Sequence, residues 1–147
     1  MTHKEKALSY FGNNFNCSQS VFTAFATELG IDEQTALKLS TSFGGGARCG
    51  ELCGAVTGAL MVLGLKYGHY ISDNAEQKAN AYRLAVEFNK RFCEKNNSVV
   101  CRDLLNYDLS NPEELEEIKA RNLFKTICPN MVADATEIVE HMLIENK

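Results

Sequence analysis

Proline is scarce in this chain of 147 residues: only Pro112 and Pro129 occur. No segment alternates polar and apolar residues long enough to read as a strand, and apolar spacing is helical nearly throughout. An all-α chain follows. No long block of Lys and Arg occurs, and the formal net charge is -4. Phosphate neutralisation needs clustered cations, so nucleic-acid binding is not favoured. The longest nearly apolar run, Leu52 to Leu65, is shorter than the roughly 20 residues that span a bilayer. The opening Met1-Thr2-His3-Lys4-Glu5-Lys6 lacks the apolar stretch of a secretory signal. The expectation is one helical domain over residues 1–147, cytoplasmic, with no direct membrane insertion.

Cysteine is the residue that is present in number: there are six. A reducing cytosol rarely sustains structural disulfides. Inert buried thiols, metal ligands and redox thiols are the alternatives. No C-x-x-C occurs, which excludes a zinc ribbon, a thioredoxin motif and clustered ferredoxin spacings. Any shared site must be assembled by the tertiary fold.

The spacing predicts helices in sequence. The first covers Lys4 to Phe11 and stops at Gly12. The second runs from Cys17, capped by Asn16, to Leu29 before Gly30. Its stripe of Cys17, Val21, Phe25 and Leu29 faces inward. A third follows Asp32 to about Phe43. The glycine-rich stretch 44–50 reads as a loop. Glu51 to Tyr67 is apolar on every side and should be the central helix of a bundle, with Gly54, Gly58, Ala55 and Ala59 allowing close packing. Asp73 and Glu76 suggest a capping box opening a long helix to about Cys93. Its expected buried residues are Ala75, Ala79, Tyr82, Val86 and Phe92. A short helix follows Ser98, another begins near Pro112, and the last begins near Pro129 with Val132, Ala135, Ile138, Val139 and Met142 inward.

Cys17, Cys53, Cys101 and Cys128 all fall at predicted helix N-termini. Unpaired N–H groups and the helix dipole favour negative charge there, and such positions lower a thiol's pKa. Four helix starts can converge on one anionic site. The alternative is that each is a small buried hydrophobe. Cys49 lies on the loop after Arg48, or shares a face with Cys53 if the helix begins early. Cys93 reads as an inert thiol on the buried side of its helix. Arg48 is either an anion partner or a solvated charge. The triple glycine 44–46 is not followed by Gly-Lys-Ser/Thr, so a nucleotide loop is not indicated. His3, His69 and His141 are isolated and read as surface residues. No Ser/His/Asp set or di-iron carboxylate pattern occurs.

Three stretches resemble a known family: Asn16-Cys17-Ser18-Gln19-Ser20-Val21, Phe43-Gly44-Gly45-Gly46, and the run from Cys53-Gly54-Ala55 through Gly58 to Gly68, with Cys101-Arg102-Asp103-Leu104-Leu105 and Cys128 completing it. The chain resembles the C-GCAxxG-C-C family of redox-active proteins, whose four characteristic cysteines correspond to Cys17, Cys53, Cys101 and Cys128. The resemblance implies a small prokaryotic helical protein associated with anaerobic metabolism. A related domain looks like part of split-Soret cytochromes, where cysteines are associated with an iron–sulfur centre. This chain lacks C-x-x-C-H and cannot attach haem c in the usual way.

Three functions compete at this point. The leading one is electron transfer through an iron–sulfur cluster held by Cys17, Cys53, Cys101 and Cys128, since four thiolates are the usual complement. The second is metal-free thiol–disulfide chemistry, with Cys49 or Cys53 attacking. The third is a non-enzymatic module holding zinc on the same four thiolates. A redox partner of unknown identity and a homodimer are further expectations.

Overall fold

The computed structural model describes residues 1–147. Nine α-helices form: α1 (His3–Gly12), α2 (Cys17–Ala26), α3 (Glu33–Ser40), α4 (Gly54–Tyr67), α5 (Ala75–Asn96), α6 (Cys101–Leu105), α7 (Pro112–Ala120), α8 (Leu123–Thr126) and α9 (Cys128–Glu145). There is no β-sheet; the only extended pairing is an isolated antiparallel bridge between Leu52 and Val100. No helix is long and apolar enough to cross a membrane.

Side chains that accept the free N–H groups of the first turn fix most of the long helix starts. Asn16 accepts from the Gln19 amide while Gln19 accepts from that of Asn16, a reciprocal capping box. Asp32 caps α3, and Asn111 with Pro112 starts α7. Helix α5 opens at Asn74, whose side chain accepts from Gln77, rather than at the expected Asp73. Asn74 sits one residue closer to the helical run and satisfies the Gln77 amide in place of that of Glu76.

The apolar helix α4 lies at the centre, packed against α2, α5 and α9. Helix α2 shares that centre, with every residue from Ser18 to Ala26 buried. Gly58 permits the close crossing of these two helices. A Cβ there would stand 2.8 Å from the Ser18 carbonyl oxygen and 3.1 Å from the Val21 Cβ. Phe25, Phe88, Phe92, Leu84, Val62 and Met142 are fully buried in this core. Each such side chain contributes about 1.5–3 kcal/mol of transfer free energy. A second, smaller core of Cys101, Leu105, Leu109 and Ile118 holds α6 and α7.

Several expectations are corrected. In α5 the buried residues are Leu84, Phe88 and Phe92, whereas Ala75, Ala79, Tyr82 and Val86 are exposed. The helix carries apolar stripes on opposite faces, and the face with the larger side chains is buried because it removes more area from water. Cys93 therefore projects outward, not into the core. The central helix also begins at Gly54, three residues later than expected. Cys53 donates its amide to Val99 O at 2.8 Å and Cys101 donates to Glu51 O at 2.6 Å. This pairing holds residues 51–53 extended.

His3 is not an isolated surface residue either. Its ring stacks on Phe25 at 4.2 Å and bonds Glu140 at 2.7 Å and Glu28 at 2.9 Å. It thereby ties the chain start to α9 and to the turn after α2.

Candidate functional site

Cys17, Cys53, Cys101 and Cys128 each stand at a helix start, fixed by local devices. Cys17 is the first residue of α2, after the Asn16–Gln19 box. The same Asn16 donates to Thr41 O at 2.8 Å, and Gln19 donates to Leu37 O at 3.0 Å, tying this start to the end of α3. Cys53 is the N-cap of α4 and Cys101 the first residue of α6. The Leu52–Val100 bridge sets these two starts side by side. Cys128 is the first residue of α9, immediately before Pro129.

All four line one cavity of about 290 Å³, far more than the roughly 30 Å³ share of a single water. Phe11, Phe15, Leu104, Phe124, Ile127 and Met131 form much of its apolar wall. The cavity lies at the seam of the two cores. Cys53 belongs to the large core and Cys17 packs against it, while Cys101 belongs to the small core and Cys128 packs against that.

The thiols act on one another. Burial pushes Cys53 up to about 11, against the pull of the Ala55 and Val56 amides. Burial, with the nearness of Cys53 and Cys128, pushes Cys101 up to about 12, and the Arg48 charge acts the other way. The nearness of Cys128, with burial, raises Cys17 well above the ordinary thiol range, and the nearness of Cys17 lowers Cys128. The helix starts were expected to lower all four thiols. Desolvation outweighs the first-turn amides at Cys53, desolvation and the neighbouring thiols raise Cys101, and Cys128 with burial raises Cys17, so only Cys128 is lowered.

The loop before α4 is one left-handed turn. Gly45, Gly46, Ala47 and Arg48 have φ of 66°, 63°, 57° and 63°. For Ala47 and Arg48 this costs roughly 1–2 kcal/mol each. At Gly46 a Cβ would stand 2.4 Å from the Glu51 amide nitrogen and 2.9 Å from the Cys101 Cβ. Glycine there is what lets the turn lie against the cysteine. Arg48 reaches back over Gly45, bonds Gly44 O at 3.3 Å and lines the cavity. Cys49 is exposed, donates to Gly46 O at 3.2 Å and is not among the cavity-lining residues.

No three His, Cys, Asp or Glu side chains are grouped tightly enough to hold a single metal ion. The four cysteines instead share the lining of one cavity. Sequence reasoning missed the Leu52–Val100 bridge and the aromatic wall of Phe11, Phe15 and Phe124. The bridge is a single pair with no strand signal, and Phe124 lies far along the chain from Phe11 and Phe15.

No curated protein and no solved structure matches this chain. The family described as "Putative redox-active protein (C_GCAxxG_C_C)" matches residues 15–142, a span that contains all four cavity cysteines and the left-handed turn, and the chain belongs to it.

Proposed function

We propose that Cys17, Cys53, Cys101 and Cys128 hold an iron–sulfur cluster and that the protein transfers electrons. The observation that carries this reading is one apolar-walled cavity lined by four thiols from four helix starts. Four cysteine sulfurs are the usual donor set of such clusters. A cavity of this size lined by four cysteines leaves room for a multinuclear group, whereas a single zinc ion needs its ligands gathered on one point. When bound, the cluster supplies a one-electron couple. The chain's own contribution is to position the sulfurs, to keep water from the apolar wall, and to offer helix N-termini to the negative charge that thiolate ligation brings. Cys17, Cys53 and Cys101, held neutral in the free protein, release their protons on ligation.

A second reading is favoured by the coupling of Cys17 and Cys128, which raises one thiol and lowers the other. In metal-free chemistry Cys128 is the attacking thiolate. It forms a mixed disulfide with a partner disulfide, whose S–S bond breaks and whose leaving sulfur takes up a proton. Cys17 then loses its proton and displaces the second partner sulfur. The chain ends with a Cys17–Cys128 disulfide and the partner is reduced by two electrons. Cys53 is a weaker nucleophile because burial keeps it protonated, and Cys49 stands outside the cavity lining.

Anaerobic purification with iron, zinc and acid-labile sulfide analysis separates the readings. Iron with sulfide, and visible absorption that Cys53→Ser abolishes, supports the cluster. Bound zinc without iron supports the zinc module. Absence of both metals, with a Cys17–Cys128 disulfide forming under a mild disulfide oxidant, supports thiol chemistry.

A further inference from the structure

Arg48 is the only formally charged side chain among the residues that line the four-cysteine cavity. Its one hydrogen bond to protein goes to the Gly44 carbonyl, and no carboxylate pairs with it. The remaining guanidinium donors are left for something else. Arg48 is exposed to solvent while also lining the cavity. The left-handed turn 45–48 fixes its Cα, and the missing Cβ of Gly45 leaves room for the guanidinium, one nitrogen of which stands 2.6 Å from where that carbon would be. Asp108 acts on Cys101 in the opposite sense to Arg48. Its carboxylate is engaged by the Ser110 amide at 2.9 Å and hydroxyl at 2.6 Å, and it does not line the cavity.

We propose that Arg48 makes the mouth of the cysteine cavity selective for small anions, so that the species meeting these thiols is an anion and not a neutral molecule. This rests on the reading that the four-thiol cavity is the working site, but not on whether it carries a cluster. An arginine with free donors suits a carboxylate, a thiolate or a small oxyanion, because its fork gives two parallel hydrogen bonds to such groups. The apolar wall strengthens that preference by keeping competing water away from part of the space.

The test compares two alkylating reagents of similar size on the reduced, iron-free full chain: iodoacetate, which is anionic, and iodoacetamide, which is neutral. Each joins carbon to a cysteine sulfur and expels iodide, and the thiol proton passes to water. The ratio of the two rates at one cysteine cancels its thiolate fraction and leaves the local charge. Mapping the modified cysteines by mass spectrometry gives the ratio at Cys101 and Cys128, with exposed Cys93 on α5 as reference. The iodoacetate preference should exceed that at Cys93, fall about fivefold in Arg48→Gln, the effect of one unit charge about 4 Å away in water-like surroundings, and return in Arg48→Lys. Should Arg48→Gln not fold, a salt series on the unaltered protein decides: the preference must decline toward that of Cys93 as ionic strength rises. A preference no greater than at Cys93, one unchanged in a folded Arg48→Gln, or one insensitive to salt overturns the proposal. Failure to bind iron leaves this result intact and removes only the cluster reading.

Discussion

Cys17 and Cys128, thiols from opposite ends of the chain, line one cavity and titrate as a pair. The consequence is directional. Cys128 is lowered by the nearness of Cys17, and Cys17→Ala removes that neighbour. Alkylation of Cys128 by a neutral reagent should then shift to higher pH, with a several-fold slower rate at neutral pH, as the loss of one interaction worth roughly 1 kcal/mol implies. A pH–rate profile with peptide mapping checks this. An unchanged profile means that the pair is not coupled.

Metal-free protein should lose stability in alkali. Cys53 and Cys101 titrate near 11 and 12 in the folded chain, against 9.0 for an ordinary thiol. Folded pKa values above unfolded ones mean stability that is full below pH 9 and declines as pH rises toward 11–12, because the unfolded thiols lose their protons first. By pH 10.5 the loss should be about 2 kcal/mol per thiol. Urea unfolding at pH 8 and pH 10.5 reads it. The Cys53→Ala, Cys101→Ala double variant should show a flatter dependence over that range.

The two apolar stripes of α5 make separate predictions. Phe88→Ala opens a cavity in the large core and should cost about 3–5 kcal/mol. Val86→Ser, on the exposed face, should stay within about 0.5 kcal/mol. Thermal or urea melts of the pair decide which stripe is buried. Equal losses would mean that Val86 is covered in solution.

That helix also marks the limit of what could be read from residues alone. Period identifies a helix but cannot choose between two apolar faces 180° apart, and only the size of Leu84, Phe88 and Phe92 separates them from Tyr82 and Val86. Caps were legible because they are local: Asn16, Asp32 and Pro112 start their helices as their chemistry demands. The placement of Cys17, Cys53, Cys101 and Cys128 at helix starts was legible for the same reason. Their thiol pKa values were not. The dipole is a property of one helix, whereas burial and the Cys17–Cys128 contact depend on how distant helices pack. The Leu52–Val100 bridge was hidden too, since a single extended pair leaves no period in sequence.

Two glycines in α4 should respond oppositely to alanine. At Gly58 the new Cβ would press on the Ser18 carbonyl at 2.8 Å and the Val21 side chain at 3.1 Å, both in the buried helix α2. Neither neighbour is a flexible chain end, so α2 and α4 must move apart. Overpacking of this kind costs roughly 1–3 kcal/mol. Because Cys17 and Cys53 stand at the adjoining ends of these two helices, the separation should also disturb the cavity. At Gly64 nothing lies within 4 Å of the new carbon, and the position is exposed. Only helix propensity changes there, and Gly64→Ala should stabilise by about 0.5–1 kcal/mol. Chemical denaturation of both variants, with the alkylation rate of Cys17 followed alongside, tests the pair. Stabilisation by both alanines would mean that α2 and α4 do not cross closely at Gly58, and the packing that brings Cys17 to Cys53 would have to be sought elsewhere.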